Sequence, residues 1–177
     1  MHRSLSPWWL AAWLTVAGSV HAEEALIQAR TLVVDPHLDT VQAQGEILAA
    51  RRYGTFWSTG DAALARAALA PDFMDRTLPP GRAQGLPGPL AASEGFRQAV
   101  PDLRCEIEQM IVAGDRVVSH LRFTGHFSGR FQGRQGQGQA VNFIATDIYR
   151  VQDGRIAENW HLEDNLTLLQ QMGLVAL

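Results

Sequence analysis

The chain has 177 residues, 46% of them hydrophobic and 19% charged, a balance that fits one folded domain and excludes a disordered chain. Its formal net charge is −3, and all 15 basic residues are Arg, which leaves no basic footprint for a nucleic acid and no Lys for Schiff-base or P-loop phosphate chemistry. The single cysteine, Cys105, excludes an internal disulfide and any zinc site built on several thiolates.

Met1-His2-Arg3 is a short, weakly positive start, followed by an apolar run from Pro7 to Val20. Val20-His21-Ala22 then sets small or medium residues where a signal peptidase reads them, the layout of a secretory signal peptide. The run is shorter than the roughly 20 residues of a comfortable membrane span. Residues 1–22 are expected to be removed, leaving a periplasmic or secreted protein that starts near Glu23 and does not contact the membrane. An uncleaved N-terminal anchor is the alternative.

Residues 23–45 read as an N-terminal arm and the start of the first helix, with a short apolar run, Leu32-Val33-Val34, broken by Asp35-Pro36. From Thr40 to Trp57 the pattern is helical: Ala49, Tyr53, Phe56 and Trp57 share one face of a 3.6-residue period. Asp61 is a good N-cap for a second helix over Ala62 to Leu69, which Pro71 ends. Thr77 to Pro89, rich in Pro and Gly, is loop, and a third helix runs from Leu90 to Val100 until Pro101 stops it. Leu103 to Val112 alternates loosely, Arg116 to Phe127 is a strand, and the Gly- and Gln-rich stretch 129–139 is a flexible connection. Val141 to Val151 is a strand rich in β-branched and aromatic residues. Asp153-Gly154 is a strong hairpin turn, Arg155 to Glu163 is the partner strand, and a last helix runs from Asn165 to Met172 before Gly173. Helices first and antiparallel strands after imply an α+β fold, with helices packed on one face of a curved sheet.

The hairpin brings chemistry together. A three-residue or bulged loop pairs Asp147 with His161, Tyr149 with Asn159 and Arg150 with Glu158, whereas a strict two-residue turn pairs Asp147 with Trp160. Either way Asp147 and His161 are neighbours. A carboxylate beside an imidazole fixes its tautomer and raises its proton affinity, so the imidazole can move a proton near neutral pH. A structural hydrogen-bonded pair is the bland alternative. Other candidates carry less. Asp164 follows the same strand and suits a helix N-cap as well as a site. His120 and His126 share a face of one strand, and with Asp147 and His161 they could surround a metal, though no tight ligand motif is present. Arg76 precedes the Pro/Gly loop as an anion ligand or a solvated side chain, and Cys105 reads as an inert buried thiol.

Three segments carry a resemblance: YGTFWSTGDAALARAALAPDFMDRTLPPG, VPDLRCEIEQMIVAGDRVVSHLRFTG and TDIYRVQDGRIAENWHLEDNLTLLQQMG. In this order they resemble the SnoaL-like polyketide cyclase (ester cyclase) family of the nuclear-transport-factor-two-like superfamily, over about Glu46 to Leu174. The resemblance implies a cone-shaped α+β barrel, with about three N-terminal helices on a strongly curved antiparallel sheet and a pocket inside, formed by residues 46–177. In the family's cyclases a carboxylate on the strand after the turn is general acid/base in an intramolecular aldol closure, and a His on the preceding strand assists. Laid on this chain, the carboxylate position falls on His161 and the His position on Asp147, so the pair is present but exchanged. Arg76 and Phe127 stand where many relatives carry His.

The expected function is that of an exported SnoaL-like protein doing acid/base catalysis, without cofactor or metal, on a small apolar carbonyl or ester compound in the cone pocket. His161 would move the proton and Asp147 would orient it, with Trp57, His126, Tyr149 and Asp164 binding substrate or supporting the pair. The alternative is a non-catalytic ligand-binding or dimerisation module of the same fold. A homodimer is expected through a sheet face that carries Ile144, Ile148 and Trp160.

Overall fold

The computed structural model describes residues 25–176. The signal segment, 1–22, lies outside the described residues. In chain order the elements are β1 (Ala29–Val34), α1 (Thr40–Thr59), α2 (Ala62–Ala68), β2 (Leu69–Asp75), α3 (Pro87–Ala99), β3 (Arg104–Ala113), β4 (Arg116–Phe127), β5 (Arg130–Phe131), β6 (Arg134–Gln135), β7 (Gln139–Gln152), β8 (Arg155–Glu163) and α4 (Asn165–Gln171). Six strands form one curved sheet in the order β1-β3-β4-β7-β8-β2, and β5 and β6 form a separate two-stranded ribbon.

Local sequence sets the helix ends. Asp39 caps α1 by accepting from the amides of Val41 and Gln42, and Gly60, at φ 78°, closes it in the left-handed conformation that glycine adopts without penalty. Asp61 caps α2 through Ala63 N, and α3 begins on Pro87, whose missing N–H costs nothing in a first turn. The sheet alternates: on β7, Val141, Phe143, Ala145, Asp147, Tyr149 and Val151 are buried, while the residues between them face outward. The core fills the concave side, where Tyr53 and Phe56 of α1 meet Leu121, Phe123 and Tyr149 of the sheet.

Five sequence expectations need correction. The stretch after α2 is not the tail of a helix stopped at Pro71 but strand β2, parallel to β8. The N-terminal arm holds β1, parallel to β3. Both parallel strands sit at sheet edges, so the sheet is mixed rather than wholly antiparallel. The connection over 129–139 contains the β5–β6 ribbon, and α3 begins three residues earlier than Leu90.

The β7–β8 hairpin contains both anticipated registers. Asp153 and Gly154 have φ of 50° and 69°, the two left-handed residues of a tight turn. Next to them Gln152 pairs with Arg155 and Val151 with Ile156, the two-residue register. A bulge at Ala157 then shifts the ladder, so that Arg150 meets Glu158, Tyr149 meets Asn159 and Asp147 meets His161.

Candidate active site

The concave side encloses a cavity of about 220 Å³, larger than the roughly 150 Å³ that accommodates benzene in an apolar protein interior. One wall is aromatic. Phe123 stacks on Phe143 with centroids 5.1 Å apart, Phe96 meets Phe143 edge-on at 5.8 Å, and Trp57 meets Phe123 edge-on at 6.5 Å. Such pairs add about 0.5–1.5 kcal/mol each beyond area burial, which makes this wall stiff.

The other wall is polar and built on β2 and β8. His161, with a side chain 7% exposed, sits between two carboxylates. Its Nε2 lies 3.0 Å from each oxygen of Asp75, and its Nδ1 lies 2.7 Å from Glu163 Oε1. With a carboxyl group against each ring nitrogen, both nitrogens donate when the ring is protonated, and this arrangement favours the imidazolium. Burial alone would lower its pKa, but the bond and charge of Glu163, followed by Asp75, outweigh that and raise it to about 9. The Glu163 carboxyl is correspondingly held below its ordinary range: burial opposes this, and the bond to His161 prevails.

Asp147 lines the same cavity at 5% exposure. Its Oδ2 accepts a 2.7 Å hydrogen bond from Tyr149 Oη, two residues along the same strand face. Burial pushes its carboxyl up to about 7, against the lowering effects of the Tyr149 bond and the His161 charge. Asn159, 3% exposed, also lines the cavity, and its Oδ1 has no hydrogen-bond partner.

Asp147 and His161 thus share a cavity and a cross-strand pair, as the turn implied, but their hydrogen bonds go elsewhere. Asp147 bonds Tyr149, and His161 bonds Asp75 and Glu163. The sequence reading missed both carboxylates. Glu163 was within reach of it, since residues two apart on a strand share a face. Asp75 was hidden, because β2 was not recognised and parallel pairing leaves no turn from which to read a register.

Trp57 lines the cavity, and Tyr149 lies fully buried behind Asp147. His126 does not belong to the site. It and His120 do share a face of β4, but it is the outer face, because Leu121 and Phe123 point inward. His126 is exposed there, with Nδ1 2.7 Å from Asp102 Oδ2. The sheet therefore separates His120 and His126 from His161, so those three cannot share a metal. Among the described residues no group of three His, Cys, Asp or Glu side chains is arranged to hold a metal ion; in the Asp75–His161–Glu163 cluster the carboxylates lie against the ring nitrogens themselves. Asp164 caps α4, accepting from Thr167 N at 3.0 Å. Arg76 pairs on the outer face with Glu158, which Arg150 also grips, and the two guanidinium groups hold that carboxyl down at about 2. Cys105 is buried, and burial pushes its thiol well up, consistent with an inert side chain.

Comparison with known proteins gives a consistent picture. The family model described as SnoaL-like polyketide cyclase matches residues 47–172. The chain is similar to a candidate polyketide cyclase from Bacillus cereus ATCC 10987, at 40% identity and a TM-score of 0.80, over 86% of this chain and 97% of that one. It is also similar to IdmH from Streptomyces antibioticus, a candidate polyketide cyclase, at 26% identity and a TM-score of 0.64, over 71% of this chain and 96% of that one. TsrD from Streptomyces laurentii matches at 25% identity and a TM-score of 0.67, over 78% and 100% of the two chains. No curated protein matches the chain.

Proposed function

The chain belongs to the SnoaL-like polyketide cyclase family, and within it we propose a cofactor-free acid–base catalyst acting on a small, largely apolar carbonyl compound or ester. The observation that carries this is the seat of Asp147, a buried carboxyl on the cavity wall, anchored by Tyr149 and facing a cavity that also holds an imidazolium. Asp147 takes a proton from the carbon next to the carbonyl. The resulting enolate oxygen is stabilised by the positive charge of His161. The enolate carbon then bonds to a second electrophilic carbon and closes a ring, and Asp147 returns its proton to the new alkoxide. Where no second electrophile is present, return of the proton to another carbon gives an isomer.

These roles are the reverse of those expected from the pair alone, where His161 moved the proton. An imidazolium with both nitrogens engaged is a poor base at neutral pH, whereas a carboxyl titrating near neutrality suits proton transfer. A desolvated carboxyl on a cavity wall is the kind of group that catalytic sites hold, which favours a catalyst over a module that only holds a ligand.

The same proposal includes export after loss of residues 1–22, supported by the sequence, and a homodimer. Supporting the dimer is an apolar row across five strands of the outer sheet face. Val33, Ile111, Val118, Ile148 and Trp160 follow one another in register, with Ile111 43% and Ile148 41% exposed. Such a patch is a common mark of self-association.

The catalytic step is tested by incubating the protein in D2O with a panel of cyclic ketones and β-keto esters and following exchange of the α-hydrogens by NMR. Faster exchange than in buffer, lost in Asp147→Asn, supports it. No acceleration with any member, while the same compounds bind, favours the holding module.

A further inference from the structure

The loop between β2 and α3 contributes Pro79 and Arg82 to the cavity, and it is firmly held. Gln84 Oε1 accepts from Asp75 N at 2.7 Å, and Gln84 Nε2 donates to the Asp75 carbonyl at 2.9 Å. Thr77 Oγ1 accepts from His161 N at 2.9 Å. Arg82 is therefore presented to the cavity from a segment clasped onto the two residues of the polar wall.

Several arginines are engaged by other groups of the chain: Arg122 by Glu108, Arg76 and Arg150 by Glu158, Arg97 by the Ser58 carbonyl. What sets Arg82 apart is its place on the cavity wall. Among the described residues its guanidinium makes no hydrogen bond or ion pair, although it faces the cavity and its charge is felt at Glu163 and Tyr53. The carboxylates of Asp75 and Glu163 are both committed to His161. A guanidinium lining a cavity with its donor fork unspent matches a carboxylate, which it binds through two parallel hydrogen bonds.

The position fixes an orientation. Arg82 and Glu163 are partly exposed and mark the open end, while Asp147 and Tyr149 are buried at the inner end. The His161 charge is already shared with Asp75 and Glu163, and the Phe96–Phe143–Phe123 wall offers a carboxylate no donor, so Arg82 is the cavity group with an uncommitted positive charge. An anionic group is accepted at Arg82, with its apolar body directed inward.

We propose that Arg82 is a specificity determinant that selects ligands carrying a carboxylate on an apolar body, so that the substrate class is an apolar keto acid held with its carboxylate at the mouth. This rests on the acid–base reading for the reacting end of the substrate, but the binding preference itself does not need catalysis.

The test is calorimetric titration of the full chain, and of its Arg82→Gln and Arg82→Lys variants, with 2-naphthoate and with the methyl ester of 2-naphthoic acid. The expected result is that the unmodified protein binds the acid at least about tenfold more tightly than the ester, as loss of a charge-assisted bond implies. Arg82→Gln abolishes that preference with ester binding unchanged, and Arg82→Lys keeps part of it. If Arg82→Gln loses both probes, Arg82→Lys decides: a retained preference supports the proposal and a lost one overturns it. Equal binding of acid and ester, tighter ester binding, no binding of either, or a preference that survives in Arg82→Gln also overturns it. None of these results touches the role of Asp147, which its own titration tests.

Discussion

His161 cross-links two strands: Asp75, at the end of β2, brings both carboxylate oxygens to 3.0 Å from its Nε2, while Glu163, on its own strand, holds Nδ1 at 2.7 Å. The β2–β8 ladder is parallel and irregular between Leu69 and Met74, so the imidazolium fastens an edge strand that backbone pairing alone holds loosely. Closing this corner also fixes the segment that carries Arg82.

Replacing Glu163 by Gln removes the stronger of the two carboxylate influences on the ring. The His161 pKa, raised to about 9 in the protein, should fall by at least about one unit. Ring-proton NMR of the variant, with the His161 signal identified by its loss in His161→Gln, measures it. An unchanged His161 titration would show that the contact is not formed in solution.

The same raised pKa has a consequence for stability. The folded value lies above the ordinary 6.5, so the stabilisation is fully present below about pH 6.5 and is lost as pH rises through about 9. Urea unfolding of the unmodified protein should therefore weaken between pH 7 and 9.5, and His161→Gln should flatten that slope. A variant as pH-dependent as the parent over this window would assign the loss to other groups.

Asp147→Asn should cost activity and add stability. Ionising a carboxyl whose folded pKa is near 7 rather than 3.8 penalises the fold progressively from about pH 4 to 7, and fully above that, by on the order of a few kcal/mol. The amide escapes this penalty and can still accept from Tyr149 Oη. The variant should unfold at higher urea than the parent at pH 8 and at similar urea at pH 4. Once a substrate is found, its turnover should drop by about 10²–10⁴-fold. A variant less stable than the parent at pH 8 would mean that Asp147 is not desolvated as described.

Much of this was legible in the sequence, and what was not has a physical reason. The Asp153-Gly154 turn fixes to within one residue which β7 and β8 residues meet, so the Asp147–His161 neighbourhood could be read directly, and the cap at Asp61 followed from local chemistry, as did one of the two readings of Asp164. The register shift at Ala157 could not be decided, because a bulge depends on twist and packing rather than on the turn. Asp75 escaped because LAPDFMD alternates poorly, and Pro71 tolerates an edge strand as readily as it ends a helix. His126 was misplaced because periodicity says which residues share a face, not which face looks inward. The inward side of β4 was marked by Leu121 and Phe123, and weighing them against His120 and His126 would have settled it.

The outer face makes a separate prediction. Light scattering of the chain without residues 1–22 should report a dimer at micromolar concentration, and Ile148→Glu should convert it to a monomer by setting a charge in the middle of the apolar row. A monomeric parent would remove the dimer from the proposal.

Protein recovered from the periplasm or medium should begin near Glu23. N-terminal sequencing that returned Met1 on exported material would mean that the apolar segment stays attached.

The central claim is that Asp147 is the proton-transfer group of the cavity, and its own titration tests that most directly. With the carboxyl carbon of aspartate labelled and the Asp147 signal identified by its loss in Asp147→Asn, NMR should show an inflection near pH 7, where burial pushes it. An inflection near 4, the ordinary range of an exposed aspartate, would contradict the account.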